Sequence, residues 1–216
     1  GAPPAAPAGE PGPGMAPTPP AEADLATKLK EEYAKAYEAT QAGRYDEAER
    51  LYKDILAKAP GLAVVHFNLG YVYRQKKDFA AAEEQYRRAV ELEPDRSDGY
   101  LALANVHELK GDHDRALQIL EEAAPRFEND ARFQLALGVK RRDMGRPGAR
   151  EAIEKARALD PAGPEPYYHL GTIALAENRP AEALALLEKY VSMSGQNPEN
   201  LAVARALIEA LKKPKK

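Results

Sequence analysis

The sequence predicts an all-α fold in which pairs of helices repeat along the chain as an α-solenoid. Two series of small residues, one in each half of the repeating segment, predict it. They are Ala36, Gly70, Ala104, Gly138 and Gly171, and Ala48, Ala82, Ala116, Ala149 and Ala183. Successive members lie 34 residues apart, except for one step of 33 in each series. A fixed period of this size is typical of repeat proteins, in which each repeat packs on the next.

Each repeat is predicted to consist of two helices joined by a turn. Apolar residues recur at three- and four-residue spacing on both sides of a short polar stretch. Pro60, Pro94 and Pro161 follow second helices, where proline prevents helix continuation. The predicted repeats span residues 29–62, 63–96, 97–130, 131–163 and 164–197.

The segments that flank the repeats differ from them in composition. Pro, Ala and Gly make up 19 of residues 1–23, which predicts a disordered linker before an array that begins at residue 24. Asn197 and Pro198 have the pattern of a helix N-terminus. We therefore expect a solitary helix over residues 198–213 that covers the last repeat, followed by a basic tail at 214–216.

The repeats resemble the tetratricopeptide repeat (TPR) family. The offsets of that family are matched in the second repeat by Leu69, Gly70, Tyr73, Ala82, Tyr86 and Pro94. Two repeats depart from the pattern, since Leu120 replaces an aromatic residue and Arg141 stands where one is common. The resemblance implies a right-handed superhelical α-solenoid with a concave groove that binds partner proteins.

Glycine recurs at one position of the first helices, although it costs about 1 kcal/mol in a helix interior relative to alanine. This recurrence indicates that the two helices of a repeat approach closely, with Gly70 facing Ala82. We expect Gly70→Leu or Ala82→Leu to destabilise the fold by roughly 1–3 kcal/mol through overpacking.

Composition limits the possible partners and chemistry. The net charge is −3, from 31 basic and 34 acidic residues, which disfavours nonspecific nucleic-acid binding. There is no cysteine, and no apolar run reaches the roughly 18 residues that a membrane span needs. The four histidines form no compact ligand motif, and no serine lies in a nucleophile motif. The sequence therefore predicts a non-enzymatic protein with no catalytic residue, metal site or cofactor.

The resemblance also implies which side chains line the groove, because the family's first helices direct a fixed set of positions into it. The candidate partner-binding residues, most of them at these positions, are Tyr33, Tyr37, Phe67, Asn68, Tyr71, Arg74, Leu101, Asn105, Arg132, Leu135, Arg142 and Tyr168. Tyr33, Tyr37, Phe67 and Tyr71 cluster on the expected open face, and tyrosine suits a recognition surface. Packing between neighbouring repeats is the alternative role for these four.

One TPR subclass binds a C-terminal carboxylate of chaperones through lysines and asparagines. Asn68 matches that pattern, but Tyr33 and Tyr37 stand where the first repeat would need Lys and Asn. Asp98 is an acid at a position that would need a base. We therefore expect no carboxylate clamp.

The leading hypothesis is an adaptor that holds a peptide or helical segment of another protein in the groove. The alternative is an envelope-tethered structural or assembly factor, or a self-assembling scaffold and hence a homo-oligomer. A third hypothesis is a regulatory part of a larger catalytic chain. The linker and the Ala-, Arg- and Pro-rich composition favour the bacterial periplasm or cell envelope, with a signal or anchor removed, over the cytoplasm.

Overall fold

The structure, a computed structural model, describes residues 27–193 and 195–213. Within these residues it contains eleven α-helices and no strand. They are α1 (Thr27–Gln41), α2 (Tyr45–Lys58), α3 (Ala63–Gln75), α4 (Phe79–Leu92), α5 (Ser97–Leu109), α6 (His113–Ala123), α7 (Ala131–Asp143), α8 (Ala149–Leu159), α9 (Glu165–Ala176), α10 (Pro180–Ser192) and α11 (Pro198–Lys212). The prediction of an all-α fold is confirmed. The predicted linker, the start of the array at residue 24 and the tail at 214–216 lie outside the described residues.

The chain divides into two compact units. The N-terminal unit contains α1–α6 and the C-terminal unit contains α7–α11. Within each unit, helices that are consecutive in the chain pack against each other, and α1 also touches α3 as α7 touches α9. Since these contacts are local, the apolar core runs along the helical pairs of each unit.

The turn inside each repeat requires a left-handed residue. Gly43, Gly111 and Gly145 adopt positive φ angles there, as glycine readily does. Lys77 and Asn178 occupy the same place in the second and fifth repeats with φ of 62° and 57°. Asparagine tolerates this conformation better than lysine, so Lys77 is the least suitable residue of the five.

The close approach predicted from the glycines is confirmed, and the atoms nearest to Gly70 belong to Tyr86. A Cβ on Gly70 would lie 2.9 Å from the ring of Tyr86, one helical turn beyond Ala82. A Cβ on Gly138 would meet Ile153 Cγ1 at 2.5 Å, and one on Gly171 would meet Leu187 Cγ at 2.8 Å. A large side chain of the second helix thus lies against each of these glycines.

The last helix is fixed to the preceding repeat by polar contacts as well as by packing. Asn197 caps α11, because its side chain accepts hydrogen bonds from the backbone N–H of Glu199 at 2.9 Å and of Asn200 at 3.1 Å. Glu165 of α9 accepts from the backbone N–H of Asn197 at 3.2 Å and from the Asn200 side chain at 3.0 Å. We call this set of contacts the Glu165 latch.

Candidate functional site

The predicted groove residues of the N-terminal unit form connected pairs on α1, α3 and α5. The Asn68 amide donates to the Tyr33 hydroxyl at 2.7 Å, which joins α3 to α1. The Tyr33 and Tyr37 rings stack with centroids 6.4 Å apart. Tyr37 therefore stacks on a ring of α1 that is itself hydrogen-bonded to α3.

A second connection joins α3 to α5. The Arg74 guanidinium lies 5.0 Å from the centre of the Tyr71 ring, within cation–π range. Its Nη1 donates to Asn105 Oδ1 at 3.1 Å. One turn before Asn105 along α5, Leu101 is half-buried, as Asn105 itself is. Successive first helices are therefore linked by side chains at the predicted positions.

These residues fall into two groups according to their burial. The aromatic side chains are less exposed than the open face that the sequence predicted. Side chains at five of the predicted positions are buried, with exposures of 9% for Tyr33, 6% for Phe67, 4% for Asn68, 9% for Tyr71 and 7% for Arg74. Tyr37, Leu101 and Asn105 are half-buried and keep surface available. The buried group is therefore suited to positioning, whereas the half-buried group can contact another molecule.

Phe67 shows why the predicted groove side chains are less exposed than the sequence suggested. Its ring meets the edge of the Tyr86 ring, with centroids 5.3 Å apart. With Val64 and Gly99 it lines a cavity of about 10 Å³, next to an ion pair of Arg96 with Asp98 at 3.4 Å. Phe67 is thus packed between neighbouring helices, as the alternative role for these aromatics requires.

The buried Tyr33 hydroxyl is held in its neutral form. Burial raises the pKa of Tyr33 to about 12, and the hydrogen bond from Asn68 opposes this rise only in part. The hydroxyl therefore stays protonated at physiological pH. The Tyr33 hydroxyl accepts a hydrogen bond from Asn68 and can still donate one to another group.

In the C-terminal unit two of the predicted residues, Arg142 and Tyr168, contact a histidine that the groove prediction omitted. Arg142 Nη1 lies 2.5 Å from His169 Nδ1 and 3.5 Å from Thr172 Oγ1. Tyr168 packs edge-on against the His169 ring, with centroids 5.2 Å apart. Leu135 packs against the apolar side chains of Ile153, Leu170 and Ile173, and Arg132 is half-buried.

His169 is 4% exposed, and its pKa is lowered to about 3 by burial and by the nearby Arg142 charge. An arginine only donates hydrogen bonds, so Nδ1 accepts and the ring proton lies on Nε2. His169 stands at the same place in its repeat as Asn68, and both bond to the first helix of the preceding repeat. That shared register is the signal that could have identified His169.

Neither a metal-binding cluster nor a membrane-spanning helix is found in the described part of the chain. There, no group of three or more His, Asp or Glu side chains is placed to hold a metal ion. No helix among these residues is both long and apolar enough to cross a membrane.

Comparison with known proteins gives a consistent match over most of the chain. The family model described as "Tetratricopeptide repeat" matches residues 33–97, 67–131 and 133–198. Cellulose synthase operon protein C of Pseudomonas fluorescens is 28% identical over 181 residues, which cover 82% of this chain. The chain spans only 13% of the length of that protein.

Solved structures share the fold at low identity. The structure of PilW, titled a type IV pilus biogenesis factor, has a TM-score of 0.67 at 17% identity and covers 87% of this chain and 90% of its own. YrrB, titled a TPR protein with an unusual peptide-binding site, has a TM-score of 0.60 at 19% identity, with coverage of 83% and 94%. Both matches show the solenoid fold.

Proposed function

Because the chain belongs to the tetratricopeptide repeat family, we propose that it is a protein-interaction scaffold whose first helices hold a segment of a partner. The proposed surface lies on α1, α3 and α5 of the N-terminal unit. YrrB, with the same fold, is described as having a peptide-binding site.

The proposal rests on the different roles of two groups of side chains: the buried ones fix the geometry, and the half-buried ones offer surface for contact. Tyr33, Asn68 and Arg74 are buried and hydrogen-bonded, so they fix the positions of α1, α3 and α5 relative to each other. Tyr37 and Asn105 contact them and retain exposed surface. A surface already ordered in the free protein loses less side-chain entropy when it binds.

The chemistry of these half-buried side chains suits a peptide or a helical segment. Tyr37 and Leu101 offer apolar area, and tyrosine adds a hydroxyl with few rotatable bonds. The Asn105 amide can hydrogen-bond a backbone N–H or C=O. The Arg74 charge next to Asn105 favours a partner segment of mixed or acidic character.

The experiment is a selection of displayed peptides on the intact chain, followed by affinity measurements with variants. We expect Tyr37→Ala combined with Leu101→Ala to weaken binding of selected peptides by about tenfold or more, as contact residues do. Asp54→Ala on the exposed surface of α2 is the matched control. Equal binding by the double variant, with circular dichroism unchanged, would refute this surface.

A second candidate function is assembly work at a bacterial cell envelope. Its support is the composition of residues 1–23 and the likeness to PilW, titled a pilus biogenesis factor. Fractionation of cells that express the natural full reading frame tests it. Recovery with the envelope supports it, and recovery with the cytosol alone refutes it.

A further inference from the structure

The outer surface of α11 carries a groove at the place where another helix would continue the array. With the same 34-residue step, α11 takes the place of the first helix of a sixth repeat. It packs on α10 through Leu187, Tyr190 and Ala204. In the fifth repeat, the second helix places Leu187 against Gly171 of the first. The corresponding position of α11 is Arg205, and it lines the groove.

The groove has an apolar floor and a charged rim. It lies between α10 and α11 and encloses about 460 Å³, a space open to solvent. Val191 and Ile208 contribute the apolar side chains of its lining. Its charged lining residues are two acids and two bases, namely Glu188, Arg205, Glu209 and Lys212. A groove of balanced charge does not repel another groove of the same kind.

Two of these charges are available to a second molecule. Lys212 Nζ lies 2.6 Å from Glu188 Oε1, so that pair is already formed within the chain. Arg205 and Glu209 lie one turn apart on the same side of α11, and both are exposed. In the described residues no hydrogen bond or ion pair joins either of them to another side chain.

We infer that this groove binds the α11 helix of a second copy of the chain, with the two α11 helices antiparallel. A two-fold axis near Leu207 brings Arg205 opposite Glu209 of the partner subunit, and the same contact repeats on the other side. The charges of Arg205 and Glu209 are therefore complementary to the same two charges on a second α11. An unrelated helix would have to place an acid opposite Arg205 and a base opposite Glu209.

Charge reversal tests the inference on the full chain by light scattering after gel filtration and by sedimentation equilibrium, at roughly 10–200 μM protein. We expect the wild type to approach twice its monomer mass of 23.6 kDa. Arg205→Glu and Glu209→Arg alone each place like charges together, and each weakens the dimer by about tenfold or more. The double variant R205E/E209R restores opposite charges and recovers the wild-type dimer.

The control is Arg50→Glu on α2, which is also exposed and lies four residues before an acid, Asp54. It should dimerise like the wild type. A wild type that stays monomeric, single reversals that dimerise normally, or a double variant that does not recover would each overturn the inference. Unchanged circular dichroism of all variants separates loss of the dimer from loss of the fold.

Discussion

The ring of Tyr86 lies where a side chain at position 70 would begin: its Cδ1 and Cε1 atoms are both 2.9 Å from the site of a Cβ on Gly70. The small residue of the first helix therefore makes room for a large one on the second. The same position of the other second helices holds Tyr52, Leu120, Ile153 and Leu187, each at most 4% exposed. The pairing of small with large fixes how closely the two helices of a repeat approach.

Gly138→Ala should destabilise the protein. The new Cβ would come within 2.5 Å of Ile153 Cγ1 and 2.9 Å of the Ala149 carbonyl oxygen, and the backbone atom cannot swing away. Overpacking of about 1–3 kcal/mol exceeds the gain of about 1 kcal/mol from alanine's helix propensity. Urea unfolding followed by circular dichroism measures the change. Gly61→Ala is the control, since a Cβ there meets nothing within 4 Å. A Gly138→Ala variant as stable as the wild type would contradict the close approach.

Lys77→Gly should stabilise the protein by about 0.5–1 kcal/mol, because lysine at a φ of 62° carries left-handed strain that glycine lacks. Thermal unfolding measures the shift. The reverse change at the matching turn, Gly111→Lys, should lower the midpoint, since Gly111 has a φ of 79°. If both variants unfold at the wild-type temperature, the turn conformation is not strained.

Glu49 should make the free energy of unfolding depend on pH in the acidic range. Hydrogen bonds from Lys53 and then Lys76 lower the pKa of Glu49 to about 2, from an ordinary value of 4.5. A lowered carboxyl pKa stabilises the folded state fully above pH 4.5 and loses that effect as the pH falls towards 2. Glu49→Gln should therefore be less stable than the wild type at neutral pH, and the difference should shrink across this window. Urea unfolding at several pH values checks it, and a constant difference would exclude the ion pairs as its source.

His169 should add a second pH dependence at higher pH. Its pKa in the folded state, about 3, is below its ordinary value of 6.5. Between these two pH values the unfolded chain therefore binds more protons than the folded chain. Stability from the neutral ring is complete above pH 6.5 and falls as the pH drops towards 3. His169→Gln keeps an acceptor for Arg142 but cannot be protonated, so it should flatten the dependence between pH 7 and 5. His113→Gln, at an exposed position, is the matched control. A wild-type slope in His169→Gln would refute the assignment.

The sequence predicted the helical pairs well because their determinants are local. Small residues, prolines after helices and the cap at Asn197 act within a turn or across one helical pair, so their spacing is visible in the chain. The exposure of groove residues depends on contacts between repeats. Phe67 is covered through Tyr86 and Gly99, and Tyr33 through Asn68. A consensus position does not contain that information, which is why the aromatic face was expected to be more open than it is.

The Glu165 latch has a consequence for the order in which the array opens. Terminal elements of a repeat protein normally fray first, because they have a neighbour on one side only. Here one carboxylate on α9 bonds to Asn197, the cap of α11, and to Asn200 in its first turn, so the last helix cannot detach without breaking both hydrogen bonds. Amide protons in α11 should therefore exchange with solvent together with those of α9, as one cooperative block.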